Sequence, residues 1–273
     1  MIDVVNLTAA AYQALQTQQR TAALIDNTTE NISTGRKVNR AQDNPTDYFQ
    51  ARELSNRASD LLAVKNSIGQ GLSTIEAASI GLRSLNQTID QLGAIVSSIR
   101  GASDEERLST AAIFDQVVSQ LDQLASDSSY SGVSLISGLP QDLSVTISDD
   151  GEALTVSGEA SDQSGLGIGS AASEYDDFAT NANIDAALAD LDAASAAIRA
   201  REHSFLSNLS VLDVREQFAQ DLSDTLQAGS DNLVNANLEE EAATFLALQV
   251  RQKLGNVTLN LISEKNNAIA SLF

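Results

Sequence analysis

Hydrophobic side chains recur in sevens between Leu61 and Ile99. One column is Leu61, Ile68, Ile75, Leu82, Ile89 and Val96; three residues on runs Val64, Gly71, Ala78, Leu85, Leu92 and Ile99. Alternating steps of three and four mark a helix that keeps one seam against another helix. Leu54 extends the first column upstream, and no proline falls between Pro45 and Pro140. Such a helix would be about 58 Å long at about 1.5 Å per residue, longer than a compact domain needs, which predicts a rod. A further column, Ile184, Leu191, Ile198, Phe205 and Leu212, predicts a partner helix beginning near Asn181, with Leu188 and Leu209 beside the seam. Between them, Gly101-Ala102 breaks the first helix and Ser103–Glu106 has capping-box spacing. Phe114, Val117, Leu121 and Leu124 then predict a returning helix, antiparallel because the loop is short.

The pattern fades at both ends. Residues 4–32 carry Ala11, Leu15, Gln18, Ala22, Ile25, Thr29 and Ile32; toward the C-terminus Val250, Leu254, Val257 and Leu261 keep the spacing, followed by Ala268 and Leu272. Seams this poor in large apolar residues predict helices that need another surface to be stable. Asn235 followed by Glu239–Glu241 reads as the start of the last helix. Residues 33–47 interrupt the front pattern: Gly35 can end a helix in a left-handed cap, Asn44-Pro45 disfavours helix at Asn44, and Thr46 or Asp47 can cap the next one. Arg36, Lys37 and Arg40 in this loop read either as solvated charges or as an electrostatic contact to an acidic neighbour.

The centre reads differently. Tyr130–Gly138 predicts a turn. Leu143, Val145 and Ile147 alternate with polar residues before Asp149-Asp-Gly-Glu152, and Leu154 and Val156 follow, which predicts a β-hairpin. Gly165-Leu-Gly-Ile-Gly169 reads as a linker; no strong apolar strand precedes it and no lysine follows, so it does not read as a phosphate loop. The segments are therefore 1–46 (core helix and loop), 47–138 (rod helices), 139–180 (hairpin and linker), 181–234 (C-terminal rod helix) and 235–273 (C-terminal core helix). The fold class is mainly α: a long antiparallel coiled-coil helical rod formed by N- and C-terminal halves, with one small β-hairpin.

Composition removes several functions. The 273 residues include no Cys, no Trp and one His, His203, so thiolate chemistry is excluded and the usual zinc sites are not expected. A net charge of −21 argues against nucleic acid and anionic membranes as partners. No apolar run is long enough to insert in a membrane, and the first residues lack the regions of a secretory signal. The carboxylate clusters Asp149/Asp150 and Glu239–Glu241 read as turn and helix-start chemistry, so no catalytic site, cofactor or metal is expected. Residues 101–198 hold 18 Asp/Glu and a single basic residue, Arg107.

Several stretches resemble those of bacterial flagellins. Ile32-Ser-Thr-Gly-Arg-Lys-Val-Asn-Arg-Ala-Gln-Asp-Asn-Pro-Thr-Asp47 looks like the family's passage between its first two helices, and Ser129–Gly138 like the turn after its second rod helix. Gly229–Ala242 and Ala268-Ile-Ala-Ser-Leu-Phe273 look like its C-terminal signature. The likeness covers about residues 1–138 and 165–273; only 139–164 has no specific match. It implies that the chain ends pair in a filament core, with Leu15, Ala22, Ile25, Ile32, Val250, Leu254, Val257 and Leu261 at subunit–subunit contacts. The rod helices would form the next shell, with Arg36, Lys37 and Arg40 between the shells.

The resemblance further implies a homo-oligomeric helical filament for swimming motility, outside the cell and exported without a cleaved signal peptide. Its partners would be hook-associated junction and filament-cap proteins, the flagellar export apparatus and an export chaperone at the C-terminal helix. Many members carry Arg-x-Arg-Glu-Leu, read by animal immune receptors; the aligned Gln91-Leu-Gly-Ala-Ile95 lacks both arginines, and strong reading is not expected. Two alternatives stay open: the hook–filament junction protein of the same superfamily and a non-flagellar coiled-coil scaffold. The acidic 101–198 stretch is expected on the outer surface, where water and salt screen it.

Overall fold

A computed structural model of the chain describes residues 9–270, so residues 1–8 and the expected contact at Leu272 lie outside the described residues. Seven α-helices, one 3-10 turn and one two-stranded sheet account for the regular structure described. The chain divides into two compact units: one is Arg57–Asp224, the other Met1–Asn56 together with Thr225–Phe273.

The Arg57–Asp224 unit is built on helix α2 (Pro45–Ser98), α3 (Asp104–Asp127) and α6 (Asn181–Val234), of which α2 and α6 also run into the other unit. α2 and α6 are antiparallel. Lys65 Nζ donates to Gln220 Oε1 at 2.9 Å, Ser195 Oγ to Asn86 Oδ1 at 2.7 Å, and Arg100 pairs with Asp185, so one index rises as the other falls. Every residue of both α2 columns from Leu61 to Ile99 is buried, as are Ile184, Leu191, Ile198, Phe205 and Leu212 of α6.

α3 returns along α2 after a capping box in which Ser103 and Glu106 exchange hydrogen bonds. Its buried edge is Arg107, Ala111, Phe114, Val118, Leu121 and Ala125, whereas Val117 and Leu124 are half-buried flanks. The expected residues thus all lie on the core side, and the buried edge adds Arg107, Ala111, Val118 and Ala125. A pattern based on large side chains does not register the alanines among them.

The hairpin forms where expected, β1 (Leu143–Thr146) against β2 (Ala153–Val156), with Leu143 opposite Val156 and a turn at Gly151, φ +87°. Its inward Val145 and Val156 join the helical core, and Arg57 ties its tip through Asp149 at 2.8 Å. That guanidinium holds the Asp149 carboxyl below the usual carboxylate range.

The expected linker is instead folded. Helices α4 (Gln163–Leu166) and α5 (Ala171–Glu174) and a 3-10 turn at Asp176–Phe178 bury Leu166, Ile168, Ala171, Tyr175 and Phe178. Gly165 is needed because a Cβ there would lie 2.1 Å from Ala160 O, and Gly167 takes the left-handed C-cap of α4. Carboxylates of α3 receive both segments: Asp122 Oδ1 accepts from Gln163 N at 2.6 Å and Asp115 Oδ1 from Ala171 N at 2.8 Å. Arg201 of α6 clamps the stretch from the other side, donating to Glu159, Ser161 Oγ and Gly165 O. Short helices with single apolar residues have no periodicity to detect, so this part is illegible in the pattern.

The unit of the chain ends contains α1 (Ala9–Thr34), α7 (Leu238–Ala270), the first turns of α2 and the last of α6. Gly35, φ +71°, stops α1. Asn44 rather than Thr46 or Asp47 caps α2: its Oδ1 accepts from Asp47 N at 3.2 Å, with Pro45 as the first helical residue. Proline suits that position because its missing N–H would have no intrahelical partner.

Candidate assembly interface

α1 and α7 lie against each other in opposite directions, Gln18 Nε2 donating to Asn256 Oδ1 at 2.8 Å and Asn31 Nδ2 to Glu241 Oε1 at 3.0 Å. The residues buried along this pair are mostly small or polar. α1 buries Ala11, Thr21 and Thr28, and α7 buries only Leu248 among its described side chains. Gly255 lets the helices close, since a Cβ there would meet Gln18 Oε1 at 2.3 Å. Threonines on α1 turn their hydroxyls back to the backbone four residues earlier, Thr21 to Thr17 O at 2.9 Å, which makes them fit a helix–helix contact.

The large apolar residues are elsewhere. On α7, Leu246, Val250, Leu254, Val257 and Leu261 follow one another by steps of four and three along one face, each more than half exposed. Leu15 and Ile32 of α1 are exposed and Ala22 and Ile25 half-buried. Most of the expected contact residues are thus left exposed on the two helices. Leu246 belongs to the same stripe; its step of four before Val250 is the sequence signal that marks it. A groove of about 460 Å³ also opens between the two helices, with Thr17 and Gln18 on one side and Leu254 and Gly255 on the other. Exposed patches of this kind mark surfaces that something else covers.

The basic loop lies beside this pair. Lys37 N and Val38 N donate to Val234 O at 2.7 and 3.3 Å, and Ala236 N to Gly35 O at 2.9 Å, so the loop is laced to the α6–α7 connection. Asp43 folds the loop on itself by accepting from Asn39 N and Arg40 N at 2.9 and 2.8 Å. Those backbone donors hold its carboxyl below the usual range. Arg36, Lys37 and Arg40 are all exposed; Arg40 pairs with Glu30 at 2.6 Å. His203 is exposed on α6. Among the described residues no cluster of His, Cys, Asp or Glu could hold a metal, and no helix is long and apolar enough to cross a membrane.

Residues 5–140 match the bacterial flagellin N-terminal helical region. The chain is 32% identical over 278 residues to Flagellin FljO of Caulobacter vibrioides, covering 100% of this chain and 99% of that one. It is 27% identical to a flagellin of Brucella melitensis, covering 97% of each. A crystal structure of Bacillus cereus flagellin aligns at 16% identity with a TM-score of 0.48, over 56% of this chain and 88% of that chain. The end-to-end match to curated relatives and the helical fold lead to one conclusion: the chain belongs to the bacterial flagellins, structural subunits of the flagellar filament.

Proposed function

We propose that α1 and α7 are the surfaces through which this filament subunit polymerises. One observation carries the proposal. α7 buries Leu248 and meets Gln18 of α1 at Gly255, yet leaves Leu246, Val250, Leu254, Val257 and Leu261 more than half exposed. Covering a large aliphatic side chain contributes about 1.5–3 kcal/mol, so five in a row on each of many subunits supply a strong drive to associate. The buried columns of the Arg57–Asp224 unit hold that unit together and are not contact surfaces. Export to the cell exterior, an export chaperone on α7, and junction and cap proteins at the filament ends belong to the same reading.

The test is seeded polymerisation of Leu254→Asp and Val257→Asp. Both residues are exposed, so the subunit keeps its helical circular dichroism while filament growth stops. Growth at the normal rate would contradict the proposal.

A further inference from the structure

We propose that a groove in the unit of the chain ends receives a carboxylate-bearing face of a second copy of this chain; this rests on the filament reading above. The groove, about 120 Å³, is lined by Arg36 and Arg52 over an apolar floor that includes Val38, Ala51 and Val234. The floor is closed and firm: Val38, Ala51 and Val234 are buried, and Ser230 Oγ of α6 donates to Ala51 O of α2 at 2.9 Å. The Arg52 guanidinium stands 6.0 Å over the Tyr48 ring, which keeps it at the rim. Lys37, next to Arg36, donates to Asn232 O at 3.4 Å.

None of Arg36, Lys37 and Arg52 has a carboxylate partner among the described residues, although Arg40, Arg57, Arg100 and Arg201 each do. In a chain of net charge −21, these three neighbouring cations remain open to a carboxylate from another chain. The counter-charge is on the other unit. Residues 57–224 contain 26 Asp/Glu against 8 Lys/Arg, while the chain ends contain 11 against 8.

A carboxylate face docked over the apolar floor would exclude water from these cations and so strengthen their attraction. The same net charge repels polyanions such as nucleic acid. The groove and the carboxylates are different patches of one subunit. Their pairing is therefore head-to-tail, the type of contact that generates open helical polymers rather than closed dimers.

Zero-length carbodiimide coupling tests this on filaments grown from a mixture of isotope-labelled and unlabelled full-length chains. Mass spectrometry is expected to find Lys37 joined to an Asp or Glu of residues 57–224 in a different chain. The double variant Arg36→Glu/Arg52→Glu, whose charges are both exposed, is expected to keep its helical spectrum and melting temperature. Its critical concentration for polymerisation at low salt should rise at least tenfold. If wild-type filaments form, Lys37 couples only within its own chain and the variant polymerises normally, the groove proposal is overturned while the filament reading stands. If the wild-type chain forms no filaments, both fall.

Discussion

Gly71 of α2 lies directly under Val145 of β1: a Cβ on Gly71 would fall 2.5 Å from Val145 Cγ2. The hairpin is seated on the helix by that missing methyl group. Alanine at position 71 would favour the helix by about 1 kcal/mol. It would also overpack a β-branched side chain that has little freedom to turn away, at about 1–3 kcal/mol. Gly71→Ala is therefore expected to lower the melting temperature of the unit, and adding Val145→Ala to recover it. Gly93, with nothing within 4 Å of a built Cβ, is the control: Gly93→Ala should stabilise.

Arg107, the single cation of the acidic 101–198 stretch, is buried and donates mainly to backbone carbonyls. It donates to Phe178 O at 3.0 Å, Ala179 O at 3.1 Å, Arg100 O at 3.0 Å and Asn181 Oδ1 at 2.9 Å. The turn it holds has Asp176, Asp177 and Phe178 all at positive φ, a conformation that costs free energy in non-glycine residues. Arg107→Met should leave those acceptors unpaired and cost about 2–4 kcal/mol in urea unfolding. The near-ultraviolet signal of the Phe114, Tyr175 and Phe178 cluster should weaken with it.

Ile75 is fully buried in the first α2 column. Ile75→Asp places an unpaired carboxylate there, at several kcal/mol after relaxation. Thermal melting should show a large loss or an unfolded unit; an unchanged melting temperature would mean that the column faces solvent.

Burial pushes the Tyr175 hydroxyl up to about 12, and its hydrogen bond to Asp190 at 2.9 Å acts in the same direction. A raised acid pKa means the folded state holds its proton longer than the unfolded chain. The associated stability is full below about pH 10 and is lost as pH rises through about 12. Alkaline titration should therefore loosen the Asp176–Phe178 turn in that window, and Tyr175→Phe should remove the dependence.

The long helices are legible in the sequence because a seven-residue column of large apolar side chains arises in little besides a packed helix, and both α2 columns coincide with buried positions. Gly71 and Ala78 are the small members of the second column, and Gly71 is where the hairpin seats. Asn44 reads as a break but is the cap, because one residue type serves both purposes before proline. The folded stretch around Tyr175 and Phe178 leaves no pattern because its order comes from single long-range contacts: Asp115, Asp122, Arg107 and Arg201 reaching across. Those two aspartates, and Asp190, are half-buried, so the acidic stretch is not simply an outer coat. The apolar stripe of α7 is readable as spacing, but spacing alone does not tell an intrachain seam from an open face.

A helical reconstruction of the filament at side-chain resolution decides whether α7 is an assembly surface. Val250, Leu254, Val257 and Leu261 of each subunit are expected to be covered by neighbouring subunits, while α7 keeps Gln18 beside Gly255 across its other face. Filaments in which that apolar stripe still faces water would contradict this role for α7.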